Sequence, residues 1–247
     1  MSELTSPSIS TEGSFSVPRH LAIIMDGNNR WAKARRLPGA AGHRAGAKNV
    51  RPVAEACADI GVEYLTLFAF STENWKRPKR EVSLLLDLMT RLLEDDVDEL
   101  AERNVRFRVI GDRSRFSAKI QMLMTRAEQL TVNNNKMTLS IAANYGGQWD
   151  ITNAAKKIAE AVKAGELDPN DINHELFQSF LELGDIPAPD LCIRTGGDNR
   201  ISNFLLWDLA YTELFFSDIF WPEFGQQTLE DAVLRFSQCE RRFGTRT

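Results

Sequence analysis

Six consecutive residues, Asp26-Gly27-Asn28-Asn29-Arg30-Trp31, bring a carboxylate, a glycine, two amides, a guanidinium and an indole directly after the apolar run Leu21-Ala22-Ile23-Ile24-Met25. An aspartate so placed can hold Mg2+, small residues let backbone amides approach a phosphate, and arginine pairs with phosphate oxygens. A turn with a capping aspartate is the plain alternative for Asp-Gly-Asn alone. Ser71-Thr72-Glu73-Asn74-Trp75-Lys76-Arg77-Pro78 adds hydroxyls, an amide, an indole and two cations. It also reads as a capped loop before a helix, with Trp75 as a lid on the core. Further on, Arg194 and Arg200 flank Gly196-Gly197, and Ile201, Ser202 and Asn203 follow. Arginine suits bidentate phosphate recognition, and glycines remove side chains that would hold a phosphate off the backbone.

A fourth cluster is basic: Lys33, Arg35 and Arg36, with Gly39, Gly42 and His43 close behind. Charge runs are usually solvated surface, and that reading holds for Lys33 and Arg35. His43, at the expected start of a helix, can meet a phosphate beside the free amides there or simply cap the helix. The chain has neither a Walker loop nor the dinucleotide fingerprint. No Ser-His-Asp, Cys-His or paired-carboxylate pattern points to covalent or glycoside chemistry. What these residues share is Mg-assisted work on phosphates or diphosphates.

These groups need elements to position them. Short apolar runs at 21–25, 62–70, 105–111, 137–146, 190–194 and 209–216 read as strands. Helical spacing covers about 43–60, 81–104, 117–132, 149–164, 174–183 and 228–242. Strands alternating with helices predict an α/β domain with a mostly parallel sheet of about six strands surrounded by helices. The reactive stretches then fall at the carboxyl ends of strands, where open α/β sheets bind ligands. Residues 1–18 read as a polar tail and 19–247 as one catalytic domain.

Hydrophobic residues at 43% and charged residues at 26% are ordinary for a globular protein. A net charge of -4 argues against a general nucleic-acid binder and leaves local phosphate sites open. No apolar run reaches the roughly 18 residues of a membrane span. The Ser- and Thr-rich start lacks the apolar core of a signal peptide. Cys57, Cys192 and Cys239 are widely spaced without a metal pattern. A cytoplasmic, reduced protein is the expectation.

HLAIIMDGNNRWA, GHRAGA, FAFSTENWKRP, AANYGG and RTGGDNRISNFLLW, in this order, resemble the cis-prenyltransferase family, in particular its bacterial undecaprenyl-forming branch. The similarity spans residues 19 to 244. It implies a parallel sheet surrounded by helices, a homodimer, and Mg2+-dependent 1'-4 condensation of isopentenyl diphosphate onto farnesyl diphosphate in cis, making the lipid carrier for cell-wall synthesis. By this resemblance Asp26 binds Mg2+ and assists departure of the allylic diphosphate. Gly27, Asn28, Asn29, Arg30 and His43 cradle that diphosphate, with Trp31 near the start of the prenyl chain. Asn74 positions isopentenyl diphosphate and assists proton loss, supported by Ser71, Thr72 and Glu73, with Trp75 and Arg77 shaping the site. Arg194, Arg200, Ile201 and Ser202 match the isopentenyl diphosphate-binding stretch, and Glu213 matches a metal-linked position. Arg242-Phe243-Gly244 resembles a carboxyl-terminal element that reaches the partner subunit. A tunnel between the strand at 62–70 and the helices at 43–60 and 81–104 would hold the growing chain, with Met137 and Leu139 either its closed end or plain strand core. The apolar product implies transient contact with the inner face of the membrane.

Three positions depart from the family pattern. Gly39 stands where many relatives carry Arg, so one diphosphate contact is either absent or supplied by Arg35 or Arg36. Asn199 replaces a histidine that some relatives assign to the metal, and Asp198 shortens the usual Glu. Two other functions compete: a cis-prenyltransferase of different product length, and a non-catalytic accessory subunit of this fold. Retention of Asp26, Asn74, Arg194, Arg200 and Glu213 speaks against the second.

Overall fold

The computed structural model describes residues 16–240. Six parallel strands form one sheet: β1 (His20–Ile24), β2 (Tyr64–Ser71), β3 (Val105–Ile110), β4 (Met137–Tyr145), β5 (Leu191–Arg194) and β6 (Glu213–Phe216). Their order across the sheet is β3-β4-β2-β1-β5-β6. Every residue of β1 is buried, as expected of a central strand covered on both faces. From β1 the chain steps to β2, crosses to the far edge at β3, comes back to lay β4 between β3 and β2, and then places β5 on the other side of β1. Progression reverses between β1 and β5, so the crevice beyond their carboxyl ends is where this topology binds ligands. Asp26 and Arg194 stand there.

The helices are α1 (Asn28–Ala34), α2 (Gly39–Lys48), α3 (Val50–Asp59), α4 (Lys79–Arg91), α5 (Val97–Glu102), α6 (Ala118–Leu130), α7 (Gly147–Ala164), α8 (His174–Ser179) and α9 (Gln226–Ser237). One face of the sheet packs the larger core, joining Leu65, Leu67, Phe107 and Leu139 to Val53, Cys57, Leu100, Met124 and Phe236 of the helices. The opposite face packs Ala22, Ile24 and Tyr145 against Leu183, Phe204 and Leu205.

Several expected bounds shift. The helix expected over 43–60 is two, α2 and α3, meeting at Asn49. Pro52 explains the break, because it offers no N–H to the Lys48 carbonyl and its ring crowds that carbonyl. Asn49 uses the corner to donate to the carbonyls of Trp221 and Phe224, at 2.7 and 2.8 Å. The long helix expected over 81–104 is continuous only through a π-helical turn at Leu92–Asp96 between α4 and α5. A 3-10 turn at Asp208–Tyr211 replaces the first half of the last expected strand. Val17 packs on the core and Pro18 is buried, so the ordered domain begins before residue 19. Residues 1–15 of the expected tail, Arg242-Phe243-Gly244, and the end of the helix expected over 228–242 lie outside the described residues.

Candidate active site

A threonine fastens the site together. The Thr195 hydroxyl accepts from the Asp26 N–H at 2.9 Å and donates to the Asp26 carbonyl at 2.8 Å, locking the end of β1 to the end of β5. Gly27 then turns left-handed, with φ of 99°, and a Cβ there would lie 2.7 Å from the Phe220 ring. Only glycine meets both conditions. Its N–H donates to Asp26 Oδ1 at 2.6 Å, which leaves Oδ2 to face the arginines.

Asp26 Oδ2 lies 2.8 Å from Arg194 and 3.1 Å from Arg30. Asp198 Oδ2 takes Arg200 at 3.0 Å, Arg194 at 3.2 Å and Arg30 at 3.4 Å. Three guanidiniums thus face two carboxylates, and one positive charge remains for an incoming phosphate. Arg194 is nearly sealed, at 5% side-chain exposure, and it also donates to Ser202 Oγ at 2.7 Å. Burial raises the Asp26 carboxyl, but Arg194, the Gly27 N–H and Arg30 outweigh it and hold the group below its ordinary value. Asp26 is therefore ionised at neutral pH. Among the described residues, the buried Arg194 Nε has no hydrogen-bond partner, on a side chain that lines the cavity.

Among the described residues no cluster of three or more His, Cys, Asp or Glu side chains could hold a metal unaided. Mg2+ commonly takes one or two carboxylates and fills its shell with phosphate oxygens and water. Asp26, ionised and facing the cavity, fits as the protein's share of such a site. Glu213 is not brought to it. It opens β6 opposite Leu191, three residues and roughly 10 Å of strand from the level of Arg194.

Close packing of α1 on α2 sets the next wall. A Cβ on Gly42 would fall 1.9 Å from the Asn28 carbonyl oxygen, and one on Gly46 would fall 2.0 Å from Asn28 Oδ1. Gly42→Ala must push the helices apart. Overpacking of about 1–3 kcal/mol exceeds the roughly 1 kcal/mol that alanine gains in helix propensity. We expect this variant to lose about 1 kcal/mol of stability on balance, read by denaturant unfolding; an unchanged midpoint would contradict the packing argument. Gly39 is looser, since its Cβ would meet only the end of the Asn29 side chain, at 2.5 Å. Arg35 pairs with Glu223 and lies 4.6 Å from the Trp31 ring centroid. Arg36 is exposed, in a left-handed turn with φ of 56°.

His43 sits in the middle of α2 rather than at its start, so the free amides expected beside it are absent. It reaches the cavity by facing sideways, with Nε2 3.4 Å from Glu81 Oε1 but without hydrogen-bond geometry. Burial lowers the imidazole below its ordinary value; Glu81 opposes this and Arg77 adds to it. The ring is neutral at neutral pH. Arg77 is steadied by Glu81 at 2.9 Å.

Ser71 and Asn74 form a reciprocal cap, the Ser71 N–H donating to Asn74 Oδ1 at 3.0 Å. That leaves the Asn74 amide N–H groups for a ligand. Burial raises Glu73, but its own N–H, Thr72, Asn203 and Ser71 hold the carboxyl below its ordinary value. Trp75 is a lid on the core, as the capped-loop reading expects. Its Nε1 donates to Asn144 Oδ1 at 2.8 Å, its ring meets Phe70 edge-on, and Arg115 covers the outer face.

Behind the polar mouth lies a cavity of about 660 Å3. Its polar lining includes Asp26, His43, Ser71, Asn74, Arg194 and Ser202, and its walls are Val50, Phe68, Phe70, Leu85, Leu88 and Ile141. No side chain of α4 is buried, although the helix is strongly amphipathic. Its apolar stripe is shared: Leu85 and Leu88 line the cavity, Leu86 packs against the core, and Met89 does both. Met137 and Leu139 are core, beneath a floor formed at Ile141.

The structure therefore gathers Asp26, Asn28, His43, Ser71, Glu73, Asn74, Arg77, Arg194, Arg200 and Ser202 on one cavity. Gly27 and Arg30 adjoin it through Asp26. Asn29, Trp31, Thr72, Trp75, Ile201, Asn199 and Glu213 are not part of its lining, and Asn29 is exposed. Sequence reasoning missed Trp221, which lines the cavity while its Nε1 donates to the Gly46 carbonyl at 2.7 Å. It also missed Glu81, and Asp198 as the shared counter-ion. The Arg77-to-Glu81 spacing, i to i+4, was a readable sign for Glu81.

The prenyltransferase family model for undecaprenyl diphosphate synthase matches residues 24–244. A ditrans,polycis-undecaprenyl-diphosphate synthase ((2E,6E)-farnesyl-diphosphate specific) of Pseudomonas putida is 58% identical over 93% of this chain and 91% of its own length. An isoprenyl transferase of Neisseria meningitidis is 51% identical over 93% of this chain and 90% of its own. Among solved structures, lavandulyl diphosphate synthase from Lavandula x intermedia, in complex with dimethylallyl diphosphate, gives a TM-score of 0.90 at 37% identity, covering 93% of this chain and 99% of that one. The chain belongs to the undecaprenyl diphosphate synthase family of prenyltransferases.

Proposed function

We propose that this protein is a ditrans,polycis-undecaprenyl diphosphate synthase, adding isopentenyl diphosphate repeatedly to farnesyl diphosphate with a new cis double bond at each step. The observation that carries the reading is the continuity of the Asp26–arginine cluster with an apolar cavity. A diphosphate bearing a growing hydrocarbon tail needs both ends of it. Mg2+ is the proposed cofactor, held by Asp26 and substrate oxygens, where it stabilises charge developing on the leaving diphosphate.

Gly27, Asn28, Asn29, Arg30 and His43 hold the allylic diphosphate. Arg194, Arg200 and Ser202 grip isopentenyl diphosphate, with Ile201 seating their turn, and Asn74 orients its carbon end. The allylic C–O bond breaks, C1 bonds to C4 of isopentenyl diphosphate, and a C2 proton leaves to form the double bond. Phe68, Phe70, Leu85 and Leu88 exclude water from the tail.

A homodimer is part of the proposal. The outer side of β6 is a sheet edge, and Tyr211, Leu214, Phe216 and Ile219 are exposed on and beside it. No helix among the described residues is long and apolar enough to cross a membrane. Exposed Lys76, Lys79 and Arg80 beside the mouth favour transient contact with an anionic membrane surface, consistent with a cytoplasmic enzyme delivering an apolar product.

Incubation with farnesyl diphosphate, labelled isopentenyl diphosphate and Mg2+, followed by sizing of the product, tests the reading. Undecaprenyl product that disappears on chelation of Mg2+ is expected. Short products would favour a synthase of other chain length, and no product at all an accessory subunit.

A further inference from the structure

Asn203 joins three loops of the site. Its carbonyl accepts from the Gly147 N–H at 2.6 Å, its Oδ1 accepts from the Gln148 N–H at 2.9 Å, and its Nδ2 donates to Glu73 Oε1 at 3.0 Å. A backbone N–H needs an acceptor and a carboxylate needs a donor, so one orientation of the amide serves both. The second bond is a helix cap delivered from elsewhere in the chain. α7 follows Gly146 with no side-chain cap of its own, and Asn203 supplies the missing acceptor. Glycines make the approach feasible. A Cβ on Gly146 would lie 2.6 Å from Asn203 Nδ2, and one on Gly147 would lie 2.6 Å from the Leu206 side chain.

The turn held this way is under backbone strain. Ser202, Asn203 and Leu205 all have positive φ, at 49, 64 and 43°. Non-glycine residues keep that conformation only where their surroundings over-determine it. Here it aims Ser202 Oγ at Arg194 and turns the Arg200 carbonyl onto the same guanidinium. On the other side, Glu73 precedes Asn74 in the turn Thr72–Lys76.

We propose that Asn203 is a positioning residue. It bolts the Arg200–Ser202 turn to the Glu73–Asn74 turn and so sets the seating of isopentenyl diphosphate. The proposal rests on the synthase reading of the site.

Asn203→Asp isolates the link to Glu73. The aspartate keeps the acceptor for Gln148 and suits a helix N-terminus, but it loses the donor and sets a second carboxylate against Glu73. The KM for isopentenyl diphosphate is expected to rise about tenfold or more, the scale of losing a charge-assisted hydrogen bond, while that for farnesyl diphosphate holds. Glu73→Gln combined with Asn203→Asp restores the bond with donor and acceptor exchanged, and should return the KM toward the parent value. If Asn203→Asp melts well below the parent, Glu73→Ala cuts the same link without touching the α7 cap and should raise the same KM. An unchanged KM for isopentenyl diphosphate, equal losses for both substrates, or a double variant no better than Asn203→Asp overturns the proposal. A parent that makes no product removes the functional reading and this inference together; an active parent with insensitive variants removes only the role of Asn203.

Discussion

Asp26→Ala is expected to lower kcat by about 1000-fold or more, roughly 4 kcal/mol of transition-state stabilisation, while farnesyl diphosphate still binds. The carboxylate lines the cavity at the sheet's switch point, and its charge is assured by Arg194, the Gly27 N–H and Arg30. Removing it leaves Arg194 paired with Asp198 and Ser202, so the fold should survive. Asp26→Asn keeps the shape and an acceptor for the Gly27 N–H, and should lose turnover to a similar degree. Single-turnover kinetics beside a farnesyl diphosphate binding isotherm separate the two effects. An Asp26→Ala enzyme near parental kcat would end the proposed role of this carboxylate.

The second large effect concerns product length. Leu88→Trp is expected to shift the product toward much shorter chains while the first condensation proceeds near the parental rate. Leu88 lines the cavity on a helix none of whose side chains is buried, so added bulk enters empty space rather than a packed core. The polar mouth at Asp26 and Arg194 is untouched. Sizing the products by chromatography against the parent decides it: a full-length product would show that the chain does not grow along α4. Met137 and Leu139 are different in kind. Both are fully buried beneath the floor, and large-to-small changes there act first on stability.

Much of the site is readable in one dimension because the relevant constraints are local. The apolar run before Asp26 marks a central strand, and a parallel sheet puts the residues just after that strand at the ligand-binding edge. Gly27 and the Ser71–Asn74 cap stem from turn chemistry within a few residues. His43 belongs to the site, but not for the reason its sequence position suggests. The helix starts four residues earlier than periodicity places it, and only the sideways reach of the ring from α2 brings it to the cavity. The stripe on α4 is ambiguous in principle. Helical periodicity reports that a face avoids water, and it reads the same whether that face meets a core or a cavity.

The sequence by itself determined the strand–helix alternation, the single parallel sheet and the residue types gathered at the strand ends, because these depend on periodicity and short-range turn geometry. Only the tertiary structure decided who partners whom. It brought Arg30 to Asp198, sent Arg35 to Glu223, left Glu213 at the far end of β6, and capped α7 with Asn203. The physical reason is distance along the chain. Contacts between residues tens to hundreds of positions apart are set by how the sheet orders its strands, which no local pattern encodes.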